Sequence, residues 1–359
     1  MLQVMSKRII VLILAVFLFV PAYSQPPAGY YNSASGLTGK ALQQALHDII
    51  DNHTVKTYDN LWTCFKSTDT TASGKIWDMY SDKPGGTPAY TYTVSTDQCG
   101  NYSAEGDCYN REHSFPKSWF NDASPMVSDL FHIYPTDGYV NGKRSNYPYG
   151  VVGSATWTSS NGSKLGTCSW PGYSGTVFEP IDEYKGDFAR TYFYMATRYY
   201  GEDSGWPAVS DMVDGAQPKT WALSMLLDWH RKDPVSAKET KRNEEVYKIQ
   251  KNRNPFIDDP SFAEKIWGTL NGIENPETDI KIELYPNPSS CLLYVKIADY
   301  DCAGSTCTVF NMNGCQEKTE TLDEGVSMID VSGLQPGIYF IVIRCGRALY
   351  KDSFVVAGQ

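Results

Sequence analysis

The pattern of apolar residues changes at residues 267–281, and this change constrains the fold more than any other feature of the chain. On its N-terminal side, residues 39–51 place apolar side chains at i, i+3, i+4 and i+7, which predicts an amphipathic helix. After it come short apolar runs separated by turn residues, which predict the strands of a β-sandwich. Those runs are Ile282–Tyr285, Leu293–Ile297, Thr306–Phe310, Ile338–Ile343 and Phe354–Val356.

The sequence therefore predicts an α+β fold in two domains. A chain of 359 residues is longer than one ordinary domain. We expect a mixed α/β domain at 25–275, a linker at 276–281 and a small all-β sandwich at 282–359. Further helical patterns in the first domain cover residues 186–200, 218–231 and 236–251.

Residues 1–24 have the features of a signal peptide. Lys7 and Arg8 precede an uninterrupted apolar run of twelve residues, and small residues then precede Gln25, which is the order of segments in secretory signals. The run is shorter than the about 20 apolar residues that a membrane span needs, which argues against a retained anchor. We expect a secreted chain with no stable membrane insertion.

The chain has nine cysteines, and an exported protein reaches an environment where disulfides persist. Cys99 and Cys108 bracket a short polar loop, so we expect this pair to form a disulfide. The odd total leaves at least one thiol free or paired between chains. No cysteine pair has the spacing of a zinc site.

Two segments, 111–120 and 129–146, carry residues suited to phosphodiester hydrolysis. His113 is the best candidate general base, because histidine titrates near neutral pH. Glu112 and Asn141 supply a carboxylate and an amide oxygen. Oxygen ligands of this kind favour Mg²⁺, with Ca²⁺ and Mn²⁺ as alternatives.

The second segment predicts a short helix. Thr136 or Asp137 can cap its N-terminus, and from Gly138 onward it would place Asn141, Arg144 and Ser145 on one face. Arg144 is the second candidate catalytic residue, because a guanidinium pairs with phosphate oxygens. Glu112 and His113 are adjacent and would point to opposite faces of a strand. Both can reach one phosphate only if the strand ends or bulges at this point.

The net charge of −10 argues against tight binding to nucleic acid, because binding is driven mainly by basic residues. Net charge, however, does not describe where charge lies on the surface. The first domain contains local basic clusters at Lys143–Arg144, His230–Lys232, Lys241–Arg242 and Lys248–Arg253.

A series of short motifs runs in order through residues 30–265: Arg111–His113, Pro116, Ser118–Phe120, Asp129–Leu130, Pro135, Val140–Gly142, Arg144, Asn146, Phe178–Pro180, Lys185–Asp187, Ala189–Arg190, Trp229–His230, Asp233–Val235, Arg242–Asn243 and Asn252–Asp258. Together these motifs resemble the endonuclease I family of ββα-metal (His-Me finger) nucleases. The resemblance implies a ββα-metal core and a nonspecific endonuclease that cuts DNA, with RNA left open, to 5′-phosphate ends. On the family pattern His113 is the general base, and Glu112 and Asn141 are the metal ligands.

Other residues of these blocks are candidates for contacts with the substrate: Arg111, His132, Asn146, Arg190 and Arg253. Asn252 and Asn254 are interpreted instead as helix caps next to Pro255, which would stop a helix.

One residue departs from the family pattern. Many relatives have a histidine where this chain has Phe131. An alternative function is therefore a catalytically impaired surface protein that uses the same scaffold to bind nucleic acid or glycan. A secreted protease is a weak third reading, because the chain lacks a nucleophile elbow and an H-E-x-x-H helix.

The C-terminal residues resemble the sorting domain of type IX secretion cargo. The matching segments are Tyr285–Pro288, Phe310–Gly314 and Leu334–Phe340. This resemblance implies export through the outer membrane by the type IX machinery, to the cell surface or the medium. The alternative is a β-sandwich that binds carbohydrate or a partner. We expect the chain to be a monomer.

Overall fold

The computed structural model describes residues 25–268, 282–297, 305–312, 314–322, 326–345 and 348–358. Contacts between residues divide the chain into two compact units, Met1–Ile266 and Trp267–Gln359. The expected signal peptide and linker lie outside the described residues, so the domain boundaries given above stay predictions.

The first unit mixes helices and strands, as predicted. Its helices are α1 (Gly39–Ile50), α2 (Leu61–Thr68), α3 (Gly138–Arg144), α4 (Lys185–Arg198), α5 (Thr220–Lys232), α6 (Ala237–Gln250), α7 (Pro255–Asp258) and α8 (Ser261–Trp267). Its strands are β1 (Tyr109–His113), β2 (Ile133–Asp137), β3 (Val152–Thr158), β4 (Lys164–Cys168), β5 (Thr176–Glu179), β6 (Val213–Asp214) and β7 (Gln217–Pro218). The helices expected at 39–51, 186–200, 218–231 and 236–251 are confirmed as α1, α4, α5 and α6.

Helix α4 forms the centre of this unit. Every residue from Gly186 to Arg198 is buried, and the helix packs against α1, α5 and α7. A helix that is buried on all sides belongs to the core of a large domain. Its tyrosines and phenylalanines therefore mainly contribute buried apolar area.

A hairpin and a short helix make up the ββα element. β1 pairs with β2 in antiparallel register, with Tyr109 opposite Asp137 and His113 opposite Ile133. The side chain of Asp137 accepts a hydrogen bond from the backbone N–H of Val140 at 2.8 Å and so caps α3, as predicted. Glycine is required at the start of α3, because a Cβ on Gly138 would lie 2.5 Å from the ring of Tyr102.

Strands β3, β4 and β5 form an antiparallel sheet that the sequence did not predict. Most residues of β3 are exposed. A strand without a buried face lacks the alternation of apolar and polar residues by which strands are recognised.

The second unit consists of two antiparallel sheets, as predicted. Their strand orders are β12–β9–β8 and β11–β10–β13–β14. The strands are β8 (Ile282–Tyr285), β9 (Leu292–Ile297), β10 (Thr306–Asn311), β11 (Gln316–Thr321), β12 (Val326–Asp330), β13 (Gly337–Cys345) and β14 (Ala348–Val356). Sequence patterns missed β11, which is almost entirely polar and exposed. They also missed β12, where Ser327 is buried and Met328 is exposed.

Two further expectations concern export. Cys99 and Cys108 form a disulfide, which confirms the predicted pair, and Cys64 and Cys168 are free and buried. Among the residues that the structure describes, no helix is both long and apolar enough to cross a membrane.

Candidate active site

Alternate residues of β1 make contacts on opposite faces of the hairpin. On one face, Asn110 accepts a hydrogen bond from Asn141 of α3 at 2.7 Å, and Glu112 accepts one from the hydroxyl of Tyr80 at 2.8 Å. On the other face, the rings of His113 and Tyr58 stack with their centroids 5.8 Å apart. This is the alternation that an extended strand imposes.

His113 is held in one orientation and one tautomer. Its Nε2 lies 3.2 Å from the carbonyl oxygen of Val127. A carbonyl oxygen only accepts hydrogen bonds, so Nε2 carries the hydrogen and Nδ1 carries the free lone pair. Burial, together with the nearby His132, lowers the pKa of His113 to about 3, below the near-neutral value expected from the residue type. The ring is therefore neutral, which is the form that can accept a proton.

The loop that carries Val127 is anchored by Asp129. The carboxylate of Asp129 is buried and accepts hydrogen bonds from Tyr194, Tyr199 and Gln250 at 2.9–3.0 Å. Burial alone would raise the pKa of Asp129, but His53, His132, the hydrogen bond from Gln250 and that from the backbone N–H of Phe131 bring it down to about 2. A charged carboxylate with several donors is a strong anchor, and it fixes the carbonyl that orients His113.

Glu112 and Asn141 both lie on the α3 face of the hairpin. Burial raises the pKa of Glu112, while Arg144 and the Tyr80 hydrogen bond lower it. Tyr80 and Arg144 both contact Oε1 of Glu112, and Asn141 bonds Asn110 through its Nδ2. The second carboxylate oxygen and the amide oxygen therefore fit a hard cation that prefers oxygen ligands.

Arg144 fixes the end of β1 from within the protein. Its Nη1 donates to the carbonyl oxygen of His113 at 3.0 Å and its Nη2 donates to that of Ser114 at 2.6 Å. Nη1 also lies 3.3 Å from Glu112, and the side chain is fully buried. The expected direct contact with phosphate does not fit this position. Ser145 ends the helix with φ 52°, so it does not share a helical face with Asn141.

Among the four arginines predicted to contact the substrate or its phosphate, Arg111 is partly exposed to solvent. The other three, Arg144, Arg190 and Arg253, are fully buried. Its guanidinium lies 3.6 Å above the ring of Tyr58 and 4.5 Å from that of Trp62. Nη1 donates to the carbonyl oxygen of Tyr58 at 2.8 Å. Arg111 and His113 thus contact the same aromatic ring on the same face of β1.

Comparison with known proteins decides the family. Residues 38–261 match the family model described as Endonuclease I. The chain belongs to the endonuclease I family. Residues 283–357 match the model described as Secretion system C-terminal sorting domain.

The relatives of this family member are named as nucleases. It is 38% identical to the extracellular ribonuclease of Bacillus amyloliquefaciens over 66% of this chain and 78% of the relative. For the extracellular ribonuclease of Bacillus subtilis (strain 168), the identity is 36% over the same shares. A periplasmic deoxyribonuclease of Aeromonas hydrophila is 27% identical over 37% of this chain and 48% of the relative. The chain is a nuclease that is secreted or located at the cell surface.

Two predicted substrate contacts of the nuclease lie close to the hairpin. His132 is fully buried, its Nε2 lies 2.7 Å from the carbonyl oxygen of Met126, and its ring centroid is 5.5 Å from that of His113. It therefore supports His113 and has no surface for a substrate. Asn146 is exposed just beyond α3 and lines a cavity with Tyr147 and Trp119.

Arg190 and Arg253 lie inside the nuclease domain and away from the hairpin. Arg190 pairs with Glu239 and Asp187, and Arg253 pairs with Glu244 and Asp258. Both arginines are fully buried. Full burial with internal carboxylate partners does not fit the expected contact with substrate, since a buried ion pair is broken only at a large cost.

Asn254 caps a helix, although not in the way the sequence suggested. α6 already ends at Gln250, and the side chain of Asn254 accepts a hydrogen bond from Phe256 at the N-terminus of α7. Pro255 occupies the first turn of α7, where proline is favoured. The segment therefore starts a helix and does not merely stop one.

Another group of potential ligands lies elsewhere in the described part of the nuclease. His47, Asp51 and Glu202 each bring one ligand atom to within 4.8 Å of the others. Arg198 contacts Asp51 at 2.9 Å and Glu202 at 3.2 Å. A single arginine of the protein therefore already pairs with both carboxylates.

Sequence reasoning missed four residues that support the site: Tyr58, Tyr80, Asn110 and Val127. Asn110 could have been found, because it lies two residues before Glu112 and so on the same face of the strand. Tyr58 and Tyr80 carry no local signal, since their partners are distant in sequence. Val127 contributes only its backbone carbonyl, which any residue could provide.

Proposed function

We propose that this secreted nuclease is a Mg²⁺-dependent, sequence-nonspecific endonuclease that cuts DNA and RNA to 5′-phosphate ends. The hydrogen bond between His113 and the carbonyl oxygen of Val127, at 3.2 Å, carries this proposal. It leaves Nδ1 of His113 as the acceptor for a proton from water. Water that loses this proton becomes the nucleophile that attacks the phosphorus.

Glu112 and Asn141 would hold the cation. Their free oxygens match the preference of Mg²⁺ for carboxylate and carbonyl ligands. A bound divalent cation would stabilise charge on the phosphate and the leaving oxygen. Arg144 acts as a positioning residue, because its guanidinium fixes the carbonyls of His113 and Ser114.

The scissile phosphate is proposed to lie at the C-terminal end of β1. The strand stops at His113, so side chains from its two faces can approach one group beyond that end. Adjacent residues of a strand can reach one phosphate only if the strand ends or bulges beside them, and this requirement is met for Glu112 and His113. Arg111, on the same face as His113, is proposed to contact a phosphate of the bound strand.

Both kinds of nucleic acid are proposed as substrates. Relatives of this chain are named as ribonucleases and as deoxyribonucleases. The C-terminal unit is proposed to engage the type IX secretion machinery, on the basis of its match to a secretion sorting domain. We propose a monomer as the active form.

The environment of Phe131 helps to distinguish an active nuclease from the alternative of a catalytically impaired one. Its ring is buried and packs against Tyr194 with centroids 4.6 Å apart. A packing role for the residue that departs from the family pattern favours an active enzyme over a catalytically impaired binding protein.

The test is cleavage of plasmid DNA and of RNA by the purified chain in a series of divalent metals. We expect Mg²⁺ to support cleavage and EDTA to abolish it. His113→Ala should lower the rate by about 10²–10⁴-fold, the usual contribution of a general base. His230→Ala is a matched control, because His230 and His113 are each 6% exposed. Undiminished cleavage by His113→Ala would overturn the mechanism, and binding without cleavage would favour the impaired protein.

A further inference from the structure

A cavity of about 280 Å³ opens beside the end of α3. This volume is close to the lower limit of about 300 Å³ for small-ligand pockets. Its lining mixes aromatic rings with an amide, hydroxyls and a carboxylate: Trp119, Asn146, Tyr147, Pro148, Tyr173, Thr176, Val209, Ser210 and Asp211. None of these residues has a role in the proposed chemistry, although Asn146 was expected from the sequence to contact the substrate.

Two aromatic rings in the lining of the cavity, those of Tyr147 and Tyr173, are suited to stacking on a ligand. The ring of Tyr147 is 41% exposed, so it is accessible to a ligand in the cavity. The ring of Tyr173 is held in place because it stacks on the ring of Trp221, with centroids 4.6 Å apart and an interplanar angle of 10°. Its hydroxyl also donates to Asp211 at 3.0 Å. A fixed ring and an exposed ring suit a flat, aromatic ligand.

The lining of the cavity includes residues from two elements of the active site. Tyr147 lies three residues after the end of α3, and its backbone N–H donates to the carbonyl oxygen of Arg144 at 3.2 Å. Trp119 belongs to the segment that follows β1, and its ring packs against Phe115 at 5.2 Å. Arg144 itself binds the carbonyl of His113. The cavity is therefore built on the two elements that position the general base.

We propose that this cavity is a subsite for one unpaired nucleobase of the bound strand, next to the scissile phosphate. This inference rests on the proposed function. Stacking on aromatic rings binds any base, because every base has a π face. The amide of Asn146 and the carboxylate of Asp211 can hydrogen-bond the edge of a base, as these side chains do in nucleic-acid recognition.

A base can enter such a cavity only when it is not paired. In a duplex this requires unstacking and unpairing, which costs a few kcal/mol, whereas single strands present their bases freely. The subsite therefore predicts that single-stranded DNA and RNA are cut with a lower KM than duplexes of the same sequence.

The experiment combines a change in the protein with a change in the substrate. KM and kcat are measured for the full chain and for Tyr147→Ala on two single-stranded oligonucleotides. One is intact, and the other carries abasic sites around a single cleavage position. Tyr285→Ala is the matched control, because Tyr285 is 42% exposed and lies in the second unit.

We expect the wild-type chain to bind the intact strand with a KM about tenfold lower than the abasic strand, in line with the strength of base stacking. In Tyr147→Ala this difference should disappear, and in Tyr285→Ala it should persist. A tenfold difference that survives in Tyr147→Ala would overturn the subsite, as would a wild-type chain that does not distinguish the two strands.

The proposed function has a separate readout. Bis(p-nitrophenyl) phosphate contains a phosphodiester and no base, so the wild-type chain should cut it whether or not the subsite exists. If it cuts neither this compound nor any oligonucleotide, the proposed function fails. If it cuts them without preference for bases, only the subsite fails.

Discussion

Glu112 and His113 are consecutive in β1, yet their side chains make contacts on opposite faces of the hairpin. Glu112 faces Tyr80 and Arg144, whereas His113 stacks on Tyr58. The side chains of the candidate metal ligand and of the candidate base therefore contact separate sets of neighbours. Changes on one face should leave the function of the other face measurable.

Asn141→Ala should weaken metal binding without removing the base. Loss of a metal ligand or of its support commonly costs 10–100-fold in metal affinity. We expect the Mg²⁺ concentration for half-maximal cleavage to rise by at least tenfold. His113→Ala should lower the maximal rate and leave that concentration unchanged. A metal titration of cleavage for both variants distinguishes these effects, and identical titration curves for wild type and Asn141→Ala would contradict the assignment.

Arg144→Ala should unfold more easily than the wild type. The change removes the donors to two backbone carbonyls and leaves Glu112 buried without its cation. Breaking a buried pair costs about 3–5 kcal/mol, which urea unfolding can measure. Arg231→Ala is the control, because the pair of Arg231 and Glu264 is about 40% exposed and should contribute about 1 kcal/mol or less. Equal losses in the two variants would speak against the positioning role.

Arg253→Ala should affect stability and not substrate binding. Its guanidinium is enclosed by Glu244 and Asp258, so the free energy of unfolding should fall by about 3–5 kcal/mol. We expect KM per folded molecule to remain that of the wild type. A KM that rises tenfold while the stability is unchanged would restore the substrate contact expected from sequence.

Stability should decrease in mild acid, partly because of His230. Burial, together with the nearby Arg190, lowers the pKa of His230 from 6.5 to about 4. Between these values the unfolded chain binds a proton that the folded chain does not. The free energy of unfolding therefore falls as the pH drops from about 6.5 to about 4.

The contribution of His230 corresponds to about 3 kcal/mol at most. In His230→Gln, urea unfolding measured across this range should show a smaller decrease than in the wild type. The remaining decrease reflects other buried histidines, among them His113 and His132. An unchanged slope would show that His230 is not buried in its neutral form.

Loss of the disulfide should destabilise the segment before β1. Cys99 and Cys108 close a loop with a sequence separation of 9, and a crosslink of this length stabilises by about 2–3 kcal/mol. The double variant Cys99→Ser/Cys108→Ser should lose this amount in urea unfolding. Treatment of this variant with a reductant should have no further effect, whereas the wild type should become equivalent to it.

Much of the fold followed from local patterns. The helical spacing at 39–51 and the capping residue Asp137 each identified an element because the information lies within a few residues. β3 and β11 escaped prediction for the same reason, since exposed strands have no apolar alternation. Their position depends on pairing with distant strands, which no short segment records.

The sequence predicted which residues form the candidate site, but it predicted less well how their side chains are arranged. His113, Glu112 and Asn141 stand out by residue type and order, and Glu112 and Asn141 do lie on one face. The roles of Arg144, Arg190 and Arg253 depend on burial, because an arginine beside phosphate and an arginine inside an ion pair look alike in sequence. Only the three-dimensional contacts separate them.

The disulfide before β1 also makes the stability of the active-site hairpin depend on the compartment in which the chain is located. A bond between Cys99 and Cys108 persists in oxidising surroundings and is rare in the cytosol. The backbone N–H of Cys99 donates a hydrogen bond at 3.1 Å to the carbonyl oxygen of Tyr109, the first residue of the strand that carries His113. The disulfide therefore forms only after export from the cytosol. The enzyme becomes fully stable only there, where it is separated from the nucleic acid of the producing cell.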